Sequence, residues 1–212
     1  MATPVTIPTG RRVRRQAQTR EGILRAALGL FARQGFFATT VEQITEAADV
    51  GKGTFFNYFP TKEHVLAGFG ELQLTKVKAV LGAVGGQPVS AALRRLMHEL
   101  AVEPGKSPAL VRSLLGANLS SKPLRQLMKR NLGRGRRLLT DAIRAAQRRG
   151  EIRRELGAAE LAWHFQQVYF GTLLLWALHP PSNLARRFEE TFEVFWGGVG
   201  TGSAGRGEEP TR

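Results

Sequence analysis

The sequence contains no cysteine, and it has only two tyrosines, three tryptophans and four histidines. The absence of cysteine excludes disulfide bonds, thiolate nucleophiles and cysteine-ligated zinc. The histidines do not share a spacing typical of metal ligands, so we expect neither a metal nor a cofactor.

Long apolar runs are also absent. The longest one, Val168–Leu178, is too short to cross a bilayer, and the N-terminal stretch lacks the apolar segment of a signal peptide. These two features predict a soluble, cytoplasmic protein with no membrane partner.

Basic residues outnumber acidic ones, with 31 Lys and Arg against 17 Asp and Glu and a formal net charge of +14. Such an excess favours a polyanionic partner, either nucleic acid or an anionic membrane surface. A basic protein without such a partner remains the alternative. The length of 212 residues allows one or two compact domains with a hydrophobic core.

Apolar residues recur with helical spacing along most of the chain, and no segment alternates with period two for long. The pattern therefore predicts an all-α fold of about nine helices: an N-terminal three-helix helix-turn-helix domain and a C-terminal helical domain. The expected divisions are a flexible basic arm at residues 1–17, a helix-turn-helix domain at 18–65, a second helical domain at 66–197, and a disordered tail at 198–212.

Two short helices are predicted in the stretch TTVEQITEAADVGKGTFFNYFPTKEHV, which runs from Thr39 to Val65. Thr40 and Gln43 have the spacing of a capping box, which marks the start of the first short helix. Gly51 and Gly53 leave the start of the second helix without bulk, and Lys52 adds a positive charge there. A helix start of this kind can approach phosphates and base edges closely, as the second helix of a helix-turn-helix does.

This region resembles the TetR/AcrR family of transcriptional regulators. The resemblance covers Thr19–Leu66 and rests on LFARQGF, TTVEQI and AADVGKGTFFNYFPTKEHVL, in order and with the family's spacing. It implies contacts with DNA from the following residues: Thr40, Gly51, Lys52, Gly53, Thr54, Phe56, Asn57, Tyr58 and Lys62. Thr40 would also cap its helix, and Tyr58 and Lys62 would contact the DNA backbone.

The sequence departs from the family pattern at three positions. Asp49 replaces the usual turn glycine, and aspartate tolerates the left-handed conformation better than most residues. Gly51 replaces a serine that would cap the recognition helix better. Phe56 replaces a tyrosine and so lacks a hydroxyl for a phosphate contact. Helical spacing assigns Phe55 and Phe59 to the core of the domain rather than to DNA.

The last two helices are rich in apolar residues, and Phe188, Phe192 and Phe195 recur on one face of the last one. Packing of this face against a second copy predicts a four-helix dimer interface. Burial of the same phenylalanines within one protomer is the alternative.

A small-molecule pocket is expected in the C-terminal domain because the resemblance implies one. Trp163, Gln167, Phe170 and Leu174 share one face of the penultimate helix, and Gln167 is the polar member of that row. Met97, Leu115, Asn118 and Met128 would line the other side, although an ordinary core with one partnered amide explains the pattern equally well. The basic residues around Arg130–Arg148 form either a solvated face or an attraction for an anionic effector such as an acyl-CoA.

The sequence as a whole predicts a homodimeric, ligand-responsive repressor that binds a palindromic double-stranded DNA operator. A helical interaction protein with degraded DNA binding is the alternative, motivated by Asp49, Gly51 and Phe56. No catalytic motif is present: there is no GxSxG and no paired-carboxylate arrangement, so no enzyme is expected.

Overall fold

The computed structural model describes residues 10–83, 87–179 and 183–201, and these residues form nine α-helices without a β-strand. The helices are α1 (Gly10–Gln34), α2 (Val41–Ala47), α3 (Lys52–Tyr58), α4 (Lys62–Gly82), α5 (Val89–Ala101), α6 (Pro108–Ser120), α7 (Lys122–Arg148), α8 (Ala158–Leu178) and α9 (Leu184–Val199). A short 3₁₀ turn at Pro104–Lys106 precedes α6 and was not predicted. The predicted all-α fold class is confirmed. Among the described residues, no helix is long and apolar enough to cross a membrane.

Helix α1 begins earlier than the sequence suggested. The stretch from Gly10 to Ala17 was assigned to a flexible arm, but it is the first part of a continuous helix. Arginine, glutamine and alanine are good helix formers, and no proline or β-branched cluster interrupts them before Gln34. Residues 1–9, the remainder of the predicted arm, lie outside the described part of the chain.

Two residues with positive φ separate the first three helices. Gly35 has φ 84° and ends α1. Asp49 has φ 51° and forms the turn between α2 and α3, so an aspartate does hold the left-handed conformation here. The turn of the helix-turn-helix is therefore preserved without glycine.

The helices enclose two apolar cores. The first joins α1, α2 and α3 to the start of α4, and it contains the fully buried Phe31, Phe55 and Phe59. Helix α6 and the start of α7 also contribute to it, through the buried residues Leu110, Leu114, Ala117 and Leu124. The second core lies among α4, α5, α7, α8 and α9. Because α6 packs against both α1 and α8, it joins the two cores.

The predicted dimer interface on α9 was wrong for Phe188 and Phe192, which are 0% and 1% exposed within one protomer. Phe188 stacks on Tyr169 and Phe192 stacks on Trp196, so both rings already have neighbours in the same chain. Phe195 is half-buried and meets the ring of Phe165 edge-on. The apolar row of α9 faces α5 and α8 rather than a second copy.

The C-terminal end of α9 is more ordered than the predicted tail, which began at residue 198. Helix α9 continues to Val199, and Gly200 pairs with Ile152 in an isolated antiparallel bridge. The Thr201 hydroxyl donates a hydrogen bond to the carbonyl of Gly150 at 2.7 Å. Residues 202–212, the rest of that predicted tail, lie outside the described residues.

Candidate nucleic-acid interface and ligand cavity

The start of α2 is fixed by the predicted capping box. The backbone N–H of Gln43 donates to Thr40 Oγ1 at 3.2 Å, and the backbone N–H of Thr40 donates to Gln43 Oε1 at 3.0 Å. Gln34 at the end of α1 also donates to Gln43 Oε1, at 2.7 Å. Thr40 is thus held at an exposed helix N-terminus, where a free N–H group and the helix dipole favour an anion.

Helix α3 is anchored on one side and open on the other. Phe55 is fully buried, whereas Lys52, Gly53 and Asn57 are exposed. Phe56 is 48% exposed, which is unusual for a large aromatic side chain in a monomer. The outer face of α3 therefore presents charged, amide and aromatic groups together to the surroundings.

No neighbour within the chain requires the two glycines at the start of α3. Gly51 forms the N-cap with φ −70°, and no atom lies within 4 Å of a Cβ built at Gly51 or Gly53. Gly51 makes no side-chain capping bond, which agrees with its weaker capping ability. The open space around both residues lets an external group approach the backbone.

Lys52 is paired rather than isolated. Its ammonium lies 2.7 Å from a carboxylate oxygen of Glu42 on α2, and both side chains are exposed. The hydrogen bond from Lys52 lowers the pKa of Glu42 below its ordinary value. This ion pair links α2 to the N-terminus of α3 and partly compensates the charge of Lys52.

Lys62 does not point outward as a phosphate contact would require. Its ammonium donates to the carbonyls of Phe36 at 2.8 Å, Phe37 at 3.4 Å and Thr39 at 2.7 Å. It also lies over the Phe36 ring, 4.5 Å from the centroid. Burial lowers the pKa of Lys62. The expectation that Lys62 contacts the DNA backbone is therefore corrected, because its three donors are used within the chain.

Thr54 and Tyr58 are half-buried, and Tyr58 packs against the first core. The predicted contacts of Thr54 and Tyr58 with DNA therefore remain proposals. The structure thus brings Thr40, Lys52, Phe56 and Asn57 to one open surface of the helix-turn-helix.

A cavity of about 180 Å³ lies between α4, α6, α7 and α8. Of the residues predicted to line a pocket, Leu115, Asn118, Met128 and Phe170 do so. The cavity also adjoins both cores. On its wall, Leu66, Leu114 and Leu124 belong to the first core, and Val77, Leu96 and Tyr169 belong to the second. Leu74 lines the cavity as well.

Four residues were wrongly assigned to the pocket, and one of them, Leu174, is 42% exposed and does not line the cavity. Met97 is 1% exposed and lies in the second core without reaching the cavity. Trp163 is 49% exposed and lies under the guanidinium of Arg136. Gln167 is exposed, and its Oε1 lies 2.9 Å from His164 Nδ1. The row that contains these three α8 residues faces outward, and Phe170 sits at its border with the inward face.

The polar groups that do line the cavity were missed, apart from Asn118. They are Gln73 on α4, Asn131 on α7, and Gln166 and Tyr169 on α8. Gln73 could have been found, because it is the polar member of the row formed by Leu66, Phe69, Gly70 and Val77. The same reasoning selected Gln167 on α8, where the neighbouring Gln166 was the inward residue.

The outer surface of α8 and α9 exposes several large apolar side chains. Leu174, Leu175 and Leu178 are 42%, 60% and 53% exposed, and Val194 on α9 is 79% exposed. None of the four belongs to the second core, which contains the phenylalanines of this helix pair. We call Leu174, Leu175, Leu178 and Val194 the outer apolar face.

The basic face of α7 is partly paired with acidic residues. Arg134 lies 3.0 Å from Glu71, and Arg144 lies 3.0 Å from Asp141. None of the α7 arginines lines the cavity. This arrangement fits a solvated face better than a site for the anionic part of an effector.

The chain resembles known proteins in both sequence and fold. Residues 23–68 match the family model for bacterial regulatory proteins of the tetR family. The HTH-type transcriptional regulator TcmR of Streptomyces glaucescens is 43% identical over 82 residues, which cover 37% of this chain and 33% of TcmR. The HTH-type transcriptional repressor KstR of Mycobacterium tuberculosis is 26% identical over 112 residues, covering 50% of this chain and 51% of KstR.

The fold similarity extends over nearly the whole chain. The crystal structure of FadR from Thermus thermophilus, a transcriptional repressor in complex with lauroyl-CoA, superimposes with a TM-score of 0.61 at 27% identity. The match covers 91% of this chain and 98% of that FadR. The family model assigns residues 23–68 to the tetR family of bacterial regulatory proteins, and the FadR similarity shows that the described chain shares the fold of a TetR-family repressor.

Proposed function

We propose that the protein is a cytoplasmic transcriptional regulator that binds a palindromic DNA operator as a homodimer and responds to a small molecule. The open face of α3 carries this proposal. A short helix anchored by a fully buried phenylalanine presents Lys52, Phe56 and Asn57 outward, beside the exposed N-terminus of α2. Such a helix suits the major groove, and the net charge of +14 suits a polyanion.

The exposed groups have different roles in this proposal. Thr40 at the N-terminus of α2 binds a phosphate while it caps the helix. Lys52, Gly53 and Thr54 enter the groove, and Gly51 keeps the entry open. Phe56 offers an apolar contact of the kind that thymine methyl groups accept, and Asn57 offers an amide for a base or phosphate. Tyr58 assists from its half-buried position.

A homodimer would bury the outer apolar face. The exposed leucines of α8 and Val194 of α9 lie on neighbouring helices, so two copies can form a four-helix arrangement. A dimer reads two half-sites whose centres are about 34–36 Å apart along B-DNA. The interface therefore sets the separation of the two α3 helices.

The effector would occupy the cavity, because its walls touch both cores. Leu114 on α6 belongs to the first core and also lines the cavity, and the backbone N–H of Phe36 donates to Ser113 Oγ at 2.9 Å. A ligand that favours one position of α6 would change the placement of α1 and the helix-turn-helix. The similarity to FadR, a transcriptional repressor, supports repression.

Binding to random DNA libraries tests the DNA-binding proposal. Repeated selection with the full chain should enrich a palindromic sequence, and fluorescence anisotropy should show at least about 1,000-fold preference over random DNA. Lys52→Ala and Thr54→Ala should each weaken the enriched preference at particular positions, since a base contact is worth about 1–3 kcal/mol. Lys78→Ala, an exposed change on α4, is the control.

A helical interaction protein with degraded DNA binding is the second candidate, favoured by Gly51 and Phe56 in place of the family residues. Its distinguishing result is salt-sensitive DNA binding without any enriched sequence. The left-handed Asp49 argues against degradation, because the turn keeps its geometry.

A further inference from the structure

The cavity is lined entirely by uncharged side chains. Its polar groups are amides and one phenol, contributed by Gln73, Asn118, Asn131, Gln166 and Tyr169, and the remaining residues are apolar or glycine. An ionised group placed among them would lose its hydration without gaining a counter-ion. The part of a ligand that lies within this cavity is therefore uncharged.

The side-chain amide of Gln73 has a fixed orientation. Its Nε2 donates to the carbonyl of Leu100 at 2.8 Å, and the hydroxyl of Tyr169 donates to the same carbonyl at 3.0 Å. Reversing the amide would place Oε1 against another oxygen, so only the nitrogen can face Leu100. Burial raises the pKa of Tyr169, which keeps its hydroxyl protonated as a donor.

The other end of this amide has no partner. Among the described residues, Gln73 Oε1 is the buried side-chain oxygen or nitrogen atom that lacks a hydrogen bond. An acceptor left unpaired in an apolar site is costly, which makes such atoms rare in folded proteins. A donor on a ligand would satisfy Oε1.

We propose that the cavity takes an uncharged, mainly apolar molecule that donates a hydrogen bond to Gln73 Oε1, such as an alcohol, a phenol or an N–H compound. This assignment rests on the proposed ligand response, and it specifies the chemistry of the effector. A cavity of about 180 Å³ is larger than one of about 150 Å³ that accommodates benzene. A ketone, an ester or a thioester of the same size offers only acceptors at this position and leaves Oε1 unpaired.

Three probes of equal chain length separate these chemistries: 1-octanol, 2-octanone and octanoate. Calorimetric titration of the full chain without DNA should give binding of 1-octanol about tenfold tighter than 2-octanone, with octanoate weaker still. Equal affinity for 1-octanol and 2-octanone overturns the proposal. So does octanoate binding as tightly as the alcohol, or no binding of any probe up to its solubility.

Variants of two glutamines in the same cavity assign the effect to one atom. Gln73→Met keeps the length of the side chain and removes the acceptor, so the preference for 1-octanol over 2-octanone should disappear. Gln166→Met is the matched control, because Gln166 lines the cavity and donates to Leu132 through Nε2 at 3.0 Å. It should keep the preference, and loss of the preference in Gln166→Met alone overturns the role of Gln73.

Thermal unfolding shows whether each variant is folded, and Gln73→Leu replaces Gln73→Met if the latter is not. If neither variant folds, the order of the three probes on the unmodified chain decides the outcome. DNA binding is measured separately on the unmodified chain without probe. A chain that selects a DNA sequence but shows no donor preference overturns this inference alone, and a chain that shows the preference without DNA binding overturns the proposed function alone.

Discussion

Lys62 connects the first turn of α4 to the loop between α1 and α2. Its ammonium binds three carbonyls of that loop, at Phe36, Phe37 and Thr39, and lies over the Phe36 ring. Phe36 also donates its backbone N–H to Ser113 Oγ on α6. A single cation therefore holds the loop that leads into Thr40 and the N-terminus of α2.

We predict that Lys62→Ala destabilises the protein without removing a phosphate contact. Loss of hydrogen bonds to a charged group costs about 1.5–3 kcal/mol, which lowers Tm by roughly 3–12 °C in a protein of this size. The slope of DNA affinity against salt concentration should stay unchanged, because Lys62 neutralises no phosphate and therefore releases no counterion from the DNA. Thermal unfolding and DNA titration at several salt concentrations measure the two effects.

Lys78→Ala is the control for Lys62→Ala, since it removes one exposed positive charge from the same helix. It should leave Tm unchanged. If Lys62→Ala instead lowers the salt slope by about one per subunit while Tm is unchanged, Lys62 contacts phosphate after all.

Single residues were predictable where their role depends on near neighbours in sequence. The capping box joins Thr40 and Gln43, which are three positions apart, and the left-handed turn at Asp49 follows from the chemistry of aspartate itself. The role of Lys62 depends on carbonyls 23 to 26 residues earlier in the chain. Sequence spacing carries no information about such a contact, so the family resemblance suggested a different role.

At the scale of elements, the N-terminal part of α1 adds an exposed basic segment to the helix-turn-helix domain. Arg11, Arg12, Arg14 and Arg15 belong to the first two turns of α1 and are exposed. A helix holds these four charges at fixed positions relative to one another. A flexible arm would let each charge approach a phosphate independently.

We predict that replacing these four arginines by alanine weakens binding to all DNA sequences by similar factors. Alanine preserves the helix, so the change is electrostatic. If all four contact phosphate, the salt slope falls by about 3.6 per subunit, and the enriched sequence stays the same. DNA titrations across salt concentrations measure the slope, and selection from random DNA identifies the sequence.

A second quadruple variant tests whether position or total charge matters. Replacing Arg130, Arg137, Arg144 and Arg148 on α7 by alanine removes the same charge from a different helix. This variant should keep the salt slope. Equal losses in both quadruple variants would show that net charge alone controls the affinity.

The presence of a helix was easier to predict from the sequence than the side of the helix that faces the interior. The ends of α8 are marked in the sequence by its apolar period and by the glycine and prolines that flank it. Its inward face was misjudged, since α8 is apolar on nearly all sides and its periodicity is weak. The same weakness explains why the inward Gln166 was passed over for Gln167.

At the scale of the whole molecule, α6 and the cavity wall connect the two cores by direct packing. Leu114 contributes to the first core and lines the cavity, and Ser113 beside it binds the loop after α1. No sequence pattern in α6 distinguishes these contacts from ordinary packing, because they involve helices far apart in the chain. The contacts that link the cavity wall to the helix-turn-helix therefore became visible only in the folded structure.

The dimer is the last feature of the whole molecule that the proposed function requires. Leu175 and Val194 belong to the outer apolar face and are 60% and 79% exposed, so charged replacements fit a folded protomer. In an interface, each unpaired glutamate would be desolvated at a cost of several kcal/mol. We predict that Leu175→Glu with Val194→Glu gives a folded monomer with native helix content, as measured by sedimentation and circular dichroism.

Operator binding should be lost in this double variant, because one helix-turn-helix holds a single half-site and the separation of two half-sites is no longer fixed. Leu119→Glu is the matched control: Leu119 is 65% exposed on α6 and is not part of the outer apolar face, so this variant should stay dimeric and bind. Phe192→Glu should instead unfold the C-terminal domain, since Phe192 is 1% exposed within one protomer. If the double variant remains dimeric, the dimer interface lies on another surface. If Phe192→Glu gives a folded monomer, the dimer interface includes the phenylalanine row of α9.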